Sequence, residues 1–177
     1  GIDKAKQLIP DLIVSDVMMP KKDGLELTNE LKQDELTSHI PIILLTAKSK
    51  IDSKIQGLQF GADAYLTKPF NTQELLIRIQ KLIEIRKQLQ QKYSRQIQVV
   101  ETKTTNTSED IDATTTLGQI DQDFLRKLNL ILHEKMSDTE LSIEKVAHQL
   151  FMSRSQLFRK VKALTGESPT NFIRNFR

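Results

Sequence analysis

Three short runs of almost entirely apolar residues stand out in the first part of the chain, at residues 11–17, 41–46 and 64–67. Their length and content of β-branched side chains are typical of strands, and strands that are apolar on both faces occur in parallel sheets covered by helices. Residues 25–32 and 51–60, which lie between these runs, carry the helical periodicity that crossover connections need. The sequence therefore predicts an α/β fold with a parallel sheet.

Each predicted strand ends at a polar side chain: Asp16 follows the first apolar run, Thr46 ends the second and Lys68 follows the third. Because ligands of open α/β sheets bind at the carboxyl ends of the strands, we expect these side chains to converge on one crevice. The Asp16 carboxylate could attack a phosphoryl group, Thr46 could hydrogen-bond the phosphoryl oxygens and Lys68 could neutralise their charge. Gly24 permits the turn after the loop that carries Asp16.

A long helix is predicted to begin just after Pro69, and its apolar residues recur at alternating steps of four and three. Such a stripe is typical either of a helix packed on its own sheet or of a seam between two copies of the chain. We favour self-association beyond Leu82, because the sheet cannot reach that far. The stripe comprises Leu75, Ile79, Leu82, Leu89 and Tyr93.

The last part of the chain has the pattern of a helix-turn-helix. Residues 121–177 contain three short segments with helical apolar periodicity and the start of a fourth at Pro169. Ser153 and Gln156 are spaced as a capping box, and the helix that they begin stops at Gly166. The alternative is an all-helical packing module. Five side chains are expected on the outer face of this helix, where they could contact DNA: Arg154, Ser155, Phe158, Arg159 and Lys162.

Charge and composition limit the classes of function that the sequence supports. The net charge is only +3, but from Ser153 onward six basic residues face the single acid Glu167, which points to a polyanionic partner or to a solvated basic face. The absence of cysteine fits a reducing compartment, and no apolar run is long enough to span a membrane, so we expect a cytoplasmic segment. The sequence lacks the motifs of common enzymes, so we expect no catalytic activity from this segment. The six basic residues are Arg154, Arg159, Lys160, Lys162, Arg174 and Arg177.

The first part of the chain resembles the receiver domain of two-component response regulators, which has a flavodoxin-like fold. The resemblance rests on DVMMP at residues 16–20, DG at 23–24, PIILLTA at 41–47 and GADAYLTKPF at 61–70. It implies that a histidine kinase phosphorylates Asp16 and that the main-chain carbonyl of Met18 ligates Mg²⁺. It also implies that Thr46 and Tyr65 form a switch pair and that Lys68 precedes a cis proline.

This sequence departs from the receiver pattern before Asp16. Receivers begin with a strand that supplies an acidic pair for Mg²⁺, whereas only a helix-like stretch containing Asp3 precedes Asp16 here. Because Mg²⁺ needs several oxygen ligands, we expect weak or absent Mg²⁺ binding and no efficient phosphorylation of this segment. An N-terminally truncated sheet would also expose apolar edges, which favours a homodimer or a strand-exchanged oligomer.

The last part of the chain is similar to the AraC-type DNA-binding domain. The similarity rests on LSIEKVA at residues 141–147, MSRSQLFRKVK at 152–162 and TGESP at 165–169. It implies that Arg154, Ser155, Phe158 and Arg159 face the DNA groove. The family pairs two helix-turn-helix units and this sequence contains one, so weak and salt-dependent binding to promoter DNA is expected.

Three segments result: a partial receiver with an extended last helix at residues 1–93, a polar linker at 94–120 and a partial AraC-type domain at 121–177. This order resembles the cytoplasmic tail of hybrid histidine kinase/response regulators, whose parent chain is anchored in the inner membrane and carries the kinase. The leading hypothesis is a transcription regulator controlled by phosphorylation from a kinase in cis or in trans. The alternatives are a separate soluble response regulator and a phosphorelay adaptor that binds protein instead of DNA.

Overall fold

The computed structural model of the protein describes residues 1–47, 61–99, 118–134 and 142–175. These residues form two compact units, Gly1–Ile85 and Arg86–Arg177. The helix predicted at residues 51–60 lies outside the described part of the chain. None of the described helices combines the length and the apolar character that a membrane span requires.

The first unit is built on a parallel three-stranded sheet, which confirms the α/β prediction. Strand β2 is central and has β1 and β3 on its two sides. The described elements are α1 (Ile2–Leu8), β1 (Ile13–Asp16), α2 (Gly24–Gln33), β2 (Ile42–Ala47), β3 (Ala64–Lys68) and the start of α3 (Thr72–Val99).

Burial of the central strand accounts for its continuous apolar sequence. Successive side chains of a strand point to opposite faces, and Ile42, Ile43 and Leu44 are all fully buried, so both faces of β2 are covered. Val14 in the outer strand β1 is partly exposed instead. One face of the sheet packs against helices α1 and α2 in a core that comprises Ala5, Val17, Leu27, Leu31, Ile42, Leu44, Ala62 and Tyr65.

Helix α3 is longer than the sequence predicted. It runs to Val99, so residues 94–99 are helical, whereas the linker was predicted to begin at residue 94. Arginine and glutamine, which are frequent here, have high helix propensity, and this outweighs the loss of the apolar period. The boundary between the compact units also falls inside α3, before Arg86. Beyond it, Gln90 Nε2 donates a hydrogen bond to the main-chain carbonyl of Ala163 at 2.7 Å.

The second unit is helical, as predicted. Its later elements are α4 (Gln119–Glu134), α5 (Ile143–Gln149), α6 (Arg154–Thr165) and α7 (Pro169–Asn175). Their inner faces share one core, because the apolar positions recur at helical spacing in each element. The buried members of this core are Phe124, Leu125, Leu128, Leu132, Val146, Ala147, Leu150, Leu157, Val161, Leu164 and Phe172.

Candidate functional sites

The register of the sheet brings the polar strand ends to one edge. Asp16, the last residue of β1, is paired with Leu45 of β2, and Thr46 follows directly. On the other side of β2, Thr46 is paired with Thr67 and Ala47 with Lys68. The three predicted side chains therefore come from neighbouring positions at the carboxyl edge of the sheet, where open α/β sheets bind ligands.

Asp16 and Lys68 meet directly as an ion pair, although 52 positions separate them in the sequence. The second oxygen of the carboxylate, Oδ1, accepts a hydrogen bond from the main-chain N–H of Met18 at 3.3 Å. The hydrogen bond from the Lys68 ammonium holds the pKa of the Asp16 carboxyl below its ordinary value. The carboxylate is thus kept ionised and partly accessible, which are the properties a nucleophile at this position requires.

We expect Lys68→Met to raise the pKa of Asp16, because the variant removes the cation that stabilises the ionised carboxylate. The Asp16 pKa is lowered on folding, so the pair stabilises the first unit above the unfolded pKa of about 3.9 and loses this effect as the pH falls through the folded value. An NMR titration of the Asp16 carboxyl would measure the change. Lys22→Met, which removes a lysine paired with Glu30, is the control, and an unchanged Asp16 pKa in Lys68→Met would contradict the assignment.

The two residues predicted to form a switch pair are both buried. Thr46 donates a long hydrogen bond of 3.4 Å to the carbonyl of Ala47. Tyr65 lies in the core, and among the described residues its hydroxyl has no hydrogen-bond partner. Burial raises the pKa of Tyr65 to about 12, so the phenol is neutral at physiological pH.

Gly24 lies where the loop that follows Asp16 reaches the start of α2. Its N–H donates to the carbonyl of Val17 at 2.9 Å, which holds the start of α2 against the end of β1. An added Cβ would lie 2.2 Å from the main-chain oxygen of Asp16 and 2.9 Å from Cα of Val17. Close approach of two backbones therefore requires glycine here, and Asp23 caps the same helix by accepting a hydrogen bond from the N–H of Glu26.

The described residues around Asp16 do not fit a Mg²⁺ site by themselves. Mg²⁺ requires nearly octahedral oxygen coordination, and here the predicted donors are one carboxylate, already paired with Lys68, and the carbonyl of Met18. Asp3 lies in helix α1 instead of at the end of a strand. Within the described parts of the chain, no cluster of three or more potential metal ligands is present.

The helix-turn-helix pattern of the second unit is confirmed at its helix ends. Ser142 caps α5 by accepting a hydrogen bond from the N–H of Lys145. Ser153 and Gln156 form the complete predicted capping box at the start of α6, and Gly166 ends that helix with a positive φ of 77°. These local signals determine where α6 begins and ends.

All five predicted contact residues of α6 are exposed. Arg154 forms an ion pair with Glu144 of α5 at 2.9 Å, but both side chains remain more than half exposed, so a stronger anion could displace the pair. Phe158 is 40% exposed, which leaves an apolar surface between basic side chains. The exposed contact set is Arg154, Ser155, Phe158, Arg159 and Lys162.

Lys160, counted above among the basic residues of the polyanion-binding surface, is fully buried, so that expectation was wrong for this residue. Its ammonium lies 2.8 Å from Asp121 Oδ1 and 4.9 Å from the centre of the Phe124 ring. A signal was present in the sequence, because Lys160 continues the inner-face spacing of Leu157 and Leu164. Its partner could not be identified, since Asp121 lies 39 positions away on another helix.

Two protein-family models match the two units separately, and one relative matches nearly the whole chain. Residues 1–80 match the family model described as "Response regulator receiver domain", and residues 132–174 match the model for bacterial regulatory helix-turn-helix proteins of the AraC family. Histidine kinase P4 of Formosa agariphila is 37% identical over 98% of this chain and 12% of its own length. The phosphate regulon transcriptional regulatory protein PhoB of Pseudomonas aeruginosa is 55% identical over 42% of this chain and 32% of its own length.

A solved receiver domain protein from Clostridium thermocellum has 31% sequence identity and a TM-score of 0.46. The similarity covers 50% of this chain and 70% of the solved one. The chain thus spans a small part of the curated kinase and about a third of the curated regulator that it matches.

Proposed function

Because the chain carries a response regulator receiver domain followed by an AraC-type helix-turn-helix region, we propose that it is the receiving and DNA-binding part of a phosphorylation-controlled transcription regulator. The observation that carries this proposal is the ion pair between Asp16 and Lys68 at the carboxyl edge of the sheet. An ionised carboxylate beside an ammonium suits the acceptance of a phosphoryl group.

We propose that this arrangement accepts a phosphoryl group when the oxygen ligands that Mg²⁺ still needs are also supplied. A carboxylate oxygen of Asp16 attacks the phosphorus atom of a phosphohistidine on the kinase, an O–P bond forms and the P–N bond to the imidazole breaks. Lys68 then moves its interaction from the carboxylate to the new phosphoryl oxygens, whose greater charge attracts it more strongly. Thr46 exchanges its long hydrogen bond with Ala47 for one with the phosphoryl group, and the Tyr65 ring changes position together with Thr46.

The extent of the kinase match supports a finer proposal. Histidine kinase P4 is similar to this chain across both units, whereas PhoB is similar over less than half of it. We therefore propose that the chain is a cytoplasmic part of a hybrid histidine kinase/response regulator in which the kinase acts in cis. A separate soluble response regulator, phosphorylated in trans, is the alternative.

We expect Arg154→Ala combined with Arg159→Ala to weaken binding of duplex DNA by about ten-fold or more, because each arginine that contacts a base edge contributes roughly 1–3 kcal/mol. Fluorescence anisotropy with labelled duplexes selected from a random pool would measure the affinity of the 177-residue chain. Low salt is used, since charge neutralisation supplies much of the affinity.

The control for this pair is Arg78→Ala with Arg126→Ala, which removes the same charge from exposed positions outside α6. Equal affinities of the two double variants would contradict DNA binding by α6. That result would favour an adaptor whose helical unit binds protein.

A further inference from the structure

Phe151, in the turn between α5 and α6, occupies a position that favours glycine. Its φ is 54°, in the left-handed region that side chains with Cβ adopt at a cost. Its N–H donates to the carbonyl of His148, and the N–H of Met152 donates to that of Ala147. This pair of hydrogen bonds defines a Schellman motif, in which the residue at the Phe151 position is usually glycine.

The side chain of Phe151 makes no buried contact that would offset the cost of this backbone conformation. It is 97% exposed, whereas its neighbours Leu150 and Met152 pack into or against the helical core. Both the strained backbone and the solvent-exposed apolar side chain of Phe151 are unfavourable for stability, and the fold does not require either of them. Conflicts of this kind are found where a residue serves binding.

The surroundings of Phe151 indicate the chemistry of its partner. The turn leads directly into the capping residue Ser153 and then into the exposed Arg154 and Ser155. In helix-turn-helix proteins the beginning of the second helix enters the major groove, so the preceding turn lies at the edge of that groove. Basic side chains select a polyanion, and DNA also offers apolar groups at this edge, namely the deoxyribose and the thymine methyl.

We propose that Phe151 is an additional DNA-contacting residue, which places its ring against the apolar groups of DNA at the edge of the groove entered by α6. This inference rests on the proposed DNA-binding function. The proposed Phe151 contact differs from the contacts of the basic side chains in one measurable respect: an apolar contact releases no counterion from DNA. The contribution of Phe151 is therefore independent of salt, unlike that of a lysine on a phosphate.

The test compares Phe151→Gly and Phe151→Tyr with Leu130→Ala, which removes an exposed apolar side chain from α4. Anisotropy is measured with the 177-residue chain and a selected duplex at about 50 mM and about 200 mM salt. We expect Phe151→Gly to weaken binding by roughly five- to ten-fold at both salt concentrations, as for aromatic contacts to nucleic acid. Phe151→Tyr keeps the ring and the affinity, Leu130→Ala has no effect, and Lys162→Ala lowers the salt dependence.

Thermal unfolding separates loss of contact from loss of structure. Phe151→Gly should raise the midpoint, because glycine relieves the strained φ and no buried contact is lost. Unchanged affinity of Phe151→Gly, while the Arg154 and Arg159 double variant binds weakly, would overturn this inference and leave the proposed function standing. A reduced salt slope for Phe151→Gly would also overturn it, and failure of the unsubstituted chain to select any duplex would overturn both.

Discussion

Gly24→Ala is expected to destabilise the first unit by on the order of 3 kcal/mol and to displace the loop that follows Asp16. The new methyl group would lie 2.2 Å from the main-chain oxygen of Asp16, a distance that no side-chain rotation can relieve. The start of α2 must therefore move away from β1. This movement breaks the hydrogen bond between the N–H of Gly24 and the carbonyl of Val17.

Urea unfolding followed by NMR signals of strand β2 would measure this loss in the first unit alone. The unsubstituted chain is the reference, and Gly118→Ala, which lies in the second unit and whose Cβ would meet no atom within 4 Å, should leave the β2 signals and the stability of the first unit unchanged. Gly24→Ala should also change the NMR titration of the Asp16 carboxyl. If Gly24→Ala were as stable in the first unit as the unsubstituted chain, the close backbone approach at Gly24 would not require glycine.

Lys160→Met is expected to destabilise the second unit by roughly 3–5 kcal/mol, because it removes the buried ammonium that lies against the buried Asp121 carboxylate. Methionine has nearly the volume of lysine, so packing is largely kept and the loss of the Lys160 ammonium dominates. The cation–π contact with Phe124 is lost as well. Urea unfolding followed by NMR signals of α6 would give the free energy of unfolding.

Two controls separate charge from packing. Lys162→Met, two positions along the same helix but exposed, should change stability by less than about 0.5 kcal/mol. Asp121→Leu combined with Lys160→Met removes both charges and should recover much of the loss, because a buried ion pair can often be replaced by apolar residues. If Lys160→Met were as stable as Lys162→Met, the buried pair would contribute nothing. Loss of DNA binding by Lys160→Met would reflect unfolding of α6, not a lost phosphate contact.

Local signals were sufficient for much of the fold. The apolar runs placed all three strands, and the Ser153 and Gln156 pair placed the start of α6, because these patterns act between residues close in sequence. The exposed face of α6 followed from helical periodicity. The apolar stripe predicts a helix that ends at Tyr93, whereas α3 continues to Val99.

The order of polar residues along the sequence was enough to predict that Asp16, Thr46 and Lys68 share one edge of a parallel sheet, because parallel strands all end on the same side. The tertiary structure decided what each group contacts. It paired Asp16 with Lys68, brought the backbone at Gly24 against the end of β1, and buried Lys160 against Asp121. The two ion pairs join residues 52 and 39 positions apart in sequence, so their distances and burial depend on how whole elements pack, which no local pattern encodes.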